Sequence, residues 1–288
     1  MNPKVSILIP VYNSKAFLSR CLGSVTKQSL AEIEIICVDD GSTDSSYSIL
    51  QEWADKDSRI VVMRQDNGRQ GKARNTAFAV AKGEYIGMVD SDDYVPCDYF
   101  ERLYNAAKQN NADIAVCGII KEKKHRNKTV ISYSETVIEE NAESKLRLCN
   151  CPPDFHPVNK LYSRAMLERL ALQFDEGVQY EDVMFVLRAI CESGRMVTVP
   201  DVNYMYVLNP GSTVKSRQTR AKQHQKYIAH RSMVDYVTAK GLQIPDRYRN
   251  ITVGHFSLGG VCLWKIKEND NRRTLRLFDF LPIWSKKR

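Results

Sequence analysis

Three acidic clusters carry the chemistry open to this chain. Asp39-Asp40 lies in Val38-Asp39-Asp40-Gly41-Ser42-Thr43-Asp44, Asp90-Ser91-Asp92-Asp93 follows Val89, and Glu181-Asp182 opens an apolar-periodic stretch. Carboxylates gathered together repel one another, so such a cluster needs a positive partner. A divalent metal carrying a nucleotide diphosphate meets that need, because Mg²⁺ and Mn²⁺ take hard oxygen ligands and keep positions for phosphate and water. In Glu181-Asp182 a neighbouring like charge raises one carboxyl pKa and improves its basicity. The same pair also suits the first turn of a helix, where acidic residues complement the dipole.

The elements around these clusters follow from periodicity. Lys4-Val5-Ser6-Ile7-Leu8-Ile9-Pro10 reads as a buried first strand, and Ala16, Leu18, Leu22 and Val25 have helical spacing after the turn at Val11-Tyr12-Asn13-Ser14. Strands are expected at 33–38, 59–64, 84–89 and 113–120, with helices at about 45–54, 71–81 and 97–111 between them. Strands alternating with helices imply a mostly parallel sheet covered on both faces. Both aspartate clusters then emerge at the C-terminal ends of strands, where open α/β sheets bind ligands. Beyond residue 120 the alternation blurs. Residues 121–128 read as a charged loop or hairpin tip, 129–137 as β-prone, 164–172 and 180–193 as helical and 196–208 as one or two strands. Residues 215–267 read as mainly helical.

Six motifs stand in order: Pro10-Val11-Tyr12-Asn13, the Asp39-Asp40 segment, Gly71-Lys72-Ala73-Arg74-Asn75, Gly83-Glu84-Tyr85-Ile86, Asp90-Ser91-Asp92-Asp93 and Tyr180-Glu181-Asp182. Together they resemble the family 2 inverting glycosyltransferases of the GT-A fold, closely over residues 4–120 and more loosely over 155–215. The resemblance implies an α/β, Rossmann-like GT-A domain over 1–214, with a nucleotide-binding half at 1–120, an acceptor half at 121–214, and a helical basic extension at 215–288.

It also implies roles. Asp40 accepts a hydrogen bond from a nucleotide base, typically uracil N3–H, while Tyr12 packs on the ring beside Pro10 and Asn13; a uracil offers one imide donor and a flat face. Asp39 joins this set or caps the following helix, and Asp44 is the better cap candidate. Asp92 coordinates Mn²⁺ or Mg²⁺, Asp90 takes the ribose or the metal, and Ser91 lies between them. Gly71, Arg74 and Asn75 shape the donor site. Arg69 and Lys72 serve equally as anion ligands or as an ordinary solvated face at a helix start. Asp182 is the base that deprotonates the acceptor hydroxyl, with Glu181 beside it. Val158-Asn159-Lys160-Leu161-Tyr162 and Gly211-Ser212-Thr213 echo the family too. Leu208-Asn209-Pro210 stands where a basic residue often precedes the second, which leaves Lys215 or Arg217 as substitutes for a diphosphate contact. The expected partners are a nucleotide-sugar donor and a glycan or lipid-linked glycan acceptor, with no nucleic acid. The alternatives are a sugar-nucleotide pyrophosphorylase, which normally has a Gly-rich basic loop after its first strand, and a non-catalytic nucleotide-sugar binding module.

The 288 residues allow a sizeable core, and 43% hydrophobic content reads as globular. No stretch of 18 apolar residues occurs, and the start lacks the pattern of a secretory signal, so a cytoplasmic setting is expected. The eight cysteines then read as reduced thiols, and Cys149-Asn150-Cys151 lacks the second pair that a zinc site needs. No P-loop or Gly-x-Ser-x-Gly segment is present. The net charge of +8 is uneven: residues 211–288 hold 17 Lys/Arg against 5 Asp/Glu, leaving the first 210 residues acidic. The final Arg272–Arg288 run mixes cations with Leu, Phe and Trp. That composition fits an anionic membrane surface, here the inner face of the plasma membrane, and fits equally a segment docked on the body.

Overall fold

The computed structural model describes residues 2–123, 127–209, 219–249, 251–258, 261–269, 272–277 and 281–287. The chain forms two compact units, Met1–Arg217 and Gln218–Arg288.

The first unit is built on one sheet in the order β3-β2-β1-β4-β8-β5-β9-β7, with β6 paired to β5. Its N-terminal part alternates β1 (Val5–Val11), α1 (Leu18–Thr26), β2 (Ile33–Asp39), α2 (Ser46–Ala54), β3 (Ile60–Arg64), α3 (Arg69–Val80) and β4 (Tyr85–Met88). β1 pairs in parallel with β2 and β4, and β2 with β3. Every residue of β1 is buried, which explains its unbroken apolar run: a strand covered on both faces has no polar side to alternate with. α1 buries Leu18, Cys21, Leu22 and Val25, an i, i+3, i+4, i+7 stripe. The strand order reverses between β1 and β4, so a crevice opens at their C-terminal ends.

The second half adds α4 (Tyr99–Gln109), β5 (Ile114–Glu122), β6 (Lys128–Ile131), β7 (Ile138–Glu139), α5 (Ala142–Leu148), β8 (Lys160–Ser163), α6 (Arg164–Arg169), α7 (Asp182–Glu192) and β9 (Met196–Val207). β8 runs antiparallel between β4 and β5. It comes from the Val158–Tyr162 segment, too short to register as a strand by pattern. The region expected as one or two strands near 196–208 is a single strand parallel to β5, with a register shift opposite Cys117 and Gly118. Asp201, in that irregularity, has a φ of 57°. Cys149 and Cys151 are buried thiols without a disulfide.

The second unit begins with α8 (Arg220–Ala239), in line with the helical reading. After a short helix α9 (Asp246–Arg249) the helical reading fails: β10 (Ile251–Leu258), β11 (Val261–Asn269), β12 (Arg272–Leu277) and β13 (Leu281–Lys287) form an antiparallel four-stranded sheet. The reason is a period of two. Trp264-Lys265-Ile266-Lys267 and Thr274-Leu275-Arg276-Leu277 alternate apolar and polar residues, which a strand separates onto two faces and a helix does not. The register places Lys265, Lys267, Arg272, Arg276 and Lys287 at positions of one face, and Trp264, Ile266, Leu275, Leu277 and Trp284 at positions of the other. Among the described residues no helix is long and apolar enough to cross a membrane.

Candidate active site

The crevice is assembled from the residues that follow β1, β2 and β4. Tyr12 leaves β1 half exposed, at 50%, which is unusual for a large ring beside a fully buried strand. Asn13 has a φ of 49°, a conformation Asn tolerates better than most residues. Its Oδ1 accepts from the Thr43 amide at 2.8 Å and the Asp44 amide at 3.3 Å, so its side chain laces the two loops together. Ser45 is the N-cap of α2 and makes no side-chain cap bond; Asp44, one residue before it, accepts from the Ser46 amide through Oδ1 at 2.9 Å. That leaves Asp39 and Asp40 unspent on the helix. Asp40 is buried, and its Oδ1 accepts from Gln65 Nε2 at 2.7 Å and from the Gly68 amide at 2.9 Å. Asp39 is fully buried with Oδ2 at 3.2 Å from Arg64 Nε, while its Oδ1 has no hydrogen-bond partner among the described residues. Gly41 makes the turn between them and the helix with a φ of 74°, and a Cβ there would meet the Asn67 nitrogen at 3.0 Å. Pro10 is buried within β1.

The loop after β4 holds the second cluster. Asp90 is partly exposed; Ser91 is buried, with its Oγ 2.6 Å from Ser14 Oγ. Asp92 Oδ2 accepts from Asn209 Nδ2 at 3.2 Å, and burial, with Asp90 adding repulsion, raises its pKa above the usual carboxylate range. Asp93 turns inward, 1% exposed: Oδ1 accepts from the Val207 amide at 2.7 Å and Oδ2 from the Tyr204 hydroxyl at 2.8 Å. Asp90 and Asp92 are thus the oxygen donors this loop offers outward. No set of three or more His, Cys, Asp or Glu forms a metal cluster among the described residues. Two hard carboxylates on one turn fit a Mg²⁺ or Mn²⁺ whose remaining positions are filled by phosphate and water.

Arg74, from α3, joins this loop to the third cluster. Its side chain is 3% exposed; NH2 lies 2.8 Å from Asp90 Oδ1 and NH1 lies 3.0 Å from Glu181 Oε1. The guanidinium also stacks over Phe174 at 5.1 Å, and Phe174 stacks on Phe185 of α7 at 3.9 Å. Asn75 holds the same stretch by its backbone, donating to the Phe174 carbonyl and accepting from the Phe174 amide, both at 2.9 Å. Gly71 lets α3 approach: a Cβ there would lie 2.5 Å from the Asp175 carbonyl oxygen. Glu181 is the N-cap of α7, and Asp182 begins the helix. Burial first, then repulsion from Glu181, pushes the Asp182 carboxyl up to about 7, while Arg74 opposes the shift. A carboxyl in that range holds a proton weakly enough to release it and strongly enough to take one from a hydroxyl under attack.

The fold therefore gathers Asp40, Tyr12, Asp90, Asp92, Glu181 and Asp182 on one side of the sheet, through strand ends and the Arg74 bridge. Asn13 and Asn75 act within it as braces. Tyr204, within β9, and Gln65, just after β3, were not singled out by sequence, since neither stands in a motif. His156 is partly buried, and burial followed by Lys160 lowers its pKa. Gly211-Ser212-Thr213, Lys215 and Arg217 lie outside the described residues.

Comparison with known proteins agrees with this architecture. The chain is 34% identical over 267 residues to the uncharacterized glycosyltransferase EpsJ of Bacillus subtilis, covering 91% of this chain and 73% of that one. It is 35% identical over 211 residues to the poly(ribitol-phosphate) beta-glucosyltransferase of Bacillus spizizenii, covering 71% of this chain but 32% of that enzyme. In structure it resembles Staphylococcus aureus TarS residues 1–349 in complex with UDP-GlcNAc, with a TM-score of 0.72 and 24% identity over 85% of this chain and 69% of that one; this likeness bears on the GT-A fold. Residues 6–171 match the domain described as glycosyl transferase family 2, and the chain, a glycosyltransferase, belongs to that family.

Proposed function

We propose that this enzyme transfers a sugar from a nucleotide diphosphate donor, a UDP-sugar, to a hydroxyl of a glycan or lipid-linked glycan acceptor with inversion, in the synthesis of a cell-surface polysaccharide. The observation that carries the reading is the Arg74 bridge, in which one guanidinium holds the Asp90 loop and reaches Glu181, 107 residues further along the chain from Arg74. Asp40 and Tyr12 hold the base. A divalent Mn²⁺ or Mg²⁺ on Asp92, with Asp90, neutralises charge on the departing diphosphate when bound. Asp182 takes the proton of the acceptor hydroxyl, which attacks the anomeric carbon from the face opposite the leaving group. The name and bound donor of TarS, a transferase in complex with UDP-GlcNAc, support a UDP-sugar for this chain.

Release of UDP from a UDP-sugar tests the reading. UDP should appear only when metal and an acceptor hydroxyl are both supplied, and Asp92→Ala should abolish its release and weaken metal-dependent UDP binding while the melting curve stays cooperative. Full activity of that variant would remove the metal from Asp92.

The basic second unit is the part of this proposal that concerns location: it holds the enzyme peripherally at an anionic membrane surface, on the cytoplasmic face. By register Lys265, Lys267, Arg272, Arg276 and Lys287 hold positions of one face, while Arg273 and Lys286 share the other with the apolar positions, so adsorption through the first face should be electrostatic and should vanish at high salt. Each Lys or Arg near such a surface contributes about 1 kcal/mol, so replacing Lys267 and Arg276 by Gln should lower partition into anionic vesicles about thirtyfold. Replacing Arg273 and Lys286, on the other face, should change it little. Equal flotation of the two variants would refute a face-specific contact.

A further inference from the structure

Tyr204 sits in β9, on the acceptor side of the sheet, with no solvent exposure. Its ring packs edge-on against Tyr99 at 6.3 Å. A buried hydroxyl needs partners, and this one finds both on the loop after β4. It accepts from the Asp90 amide at 3.0 Å and donates to Asp93 Oδ2 at 2.8 Å. Burial holds the phenol pKa well above its usual value, so it remains an O–H donor. Asp93 completes the clamp. Its Oδ1 accepts from the Val207 amide at 2.7 Å, and its own amide donates to the Asp90 carbonyl at 3.0 Å. Tyr94 and Met205 exchange backbone hydrogen bonds beside it, at 3.4 and 3.1 Å. The two ends of the Asp90–Asp93 turn are thereby pinned to one hydroxyl of a strand more than a hundred residues away.

We propose that Tyr204, acting through the Asp90 amide and the Asp93 carboxylate, is a positioning residue for donor and metal binding: its hydroxyl sets the turn that aims the carboxylates of Asp90 and Asp92. The proposal rests on the reading of those two residues as the donor and metal loop. The chemistry is one of preorganisation. A cation and a diphosphate demand carboxylate oxygens within a few tenths of an ångström of their place, and a turn held at both ends supplies that where a turn held by its backbone alone does not. The ring belongs to the core; the hydroxyl belongs to the loop.

Tyr204→Phe separates the two, since it keeps the ring and removes the hydroxyl. In the full chain, titration calorimetry would follow UDP binding with Mn²⁺ and with EDTA, alongside steady-state kinetics. Loss of the shared hydrogen bond should raise the Kd for UDP in Mn²⁺ and the donor KM about tenfold. Binding in EDTA, held by the Asp40 and Tyr12 side, should change less than twofold, and kcat at saturating donor less than threefold. Asp93→Asn, which keeps an acceptor for Val207 but reverses the polarity offered to Tyr204, should give the same split; it serves if Tyr204→Phe does not fold. A lowered melting temperature with UDP and Mn²⁺ binding unchanged would overturn the proposal and leave Tyr204 a core residue. Asp92→Ala run in parallel tells the two readings apart. If it too binds UDP normally in Mn²⁺, the metal loop reading falls; if it alone loses binding, only the role of Tyr204 falls.

Discussion

Asp182→Asn should lower turnover on the order of a hundredfold or more, the scale of general-base catalysis, while donor binding changes little. The amide occupies the same space at the start of α7 but takes no proton. In the parent enzyme kcat should fall as pH drops below about 7, because the carboxyl at that value gains the proton that disables it. The variant's residual rate should lack that acid limb. Stability should move the other way. The folded pKa, about 7, lies above the ordinary aspartate value of about 4, so the fold keeps a proton that the unfolded chain has lost. That favours the folded state at low pH and is lost as pH rises through the folded pKa. At pH 8 the charged Asp182 is a burden beside Glu181, and Asn is not. The variant should therefore melt no lower than the parent at pH 8 while being nearly inactive, a pattern that a merely structural carboxylate would not produce. Normal turnover of bound donor would end the assignment.

Arg74→Met should be the most destabilising single change at the site. Methionine matches the length of the stem but leaves Asp90 and Glu181 facing a site from which their cation is gone, with Glu181 12% exposed and Asp90 26%. Breaking a buried pair by removing one partner costs about 3–5 kcal/mol. At the usual slope for a chain of this size that is a fall of roughly 10 °C in melting temperature. The stacking on Phe174 goes as well. Lysine should rescue poorly, since a single ammonium cannot span two carboxylates as the guanidinium fork does. Adding Glu181→Gln to Arg74→Met should recover part of the lost stability by removing one unpaired charge, and a double-mutant cycle would measure that coupling. Arg74 also restrains the Asp182 pKa, so the acid limb of any residual activity should shift to higher pH. Additive costs with no recovery would mean that Arg74 and Glu181 stabilise the protein independently.

What the sequence determined by itself is local. An unbroken apolar run followed by acidic residues specifies a buried strand and what leaves its end, and it does so within about ten residues. For that reason β1, β2, β4, α3 and α7 lie where periodicity places them, and Asp40, Asp92 and Asp182 are legible as carboxylates at strand ends and a helix start. The period of two in residues 264–277 was equally local, and the helical reading of 215–267 overlooked it because short strands with charged outer residues resemble helical charge patterns. What tertiary structure alone decided is who stands beside whom. Asn13 and Asn75, which the motifs offer as ligand residues, spend hydrogen bonds holding neighbouring loops. β8 slips between β4 and β5, a choice of partner that no pattern within four residues encodes. Arg74 reaches Glu181, and Tyr204 reaches Asp90 and Asp93, across more than a hundred residues. Periodicity reports which side of an element is buried, because burial is a property of one residue and its own helix or strand. Pairing is a property of two elements brought together by crossovers, and it is the low dielectric they create between them that turns an ordinary arginine, tyrosine and aspartate into a coupled site.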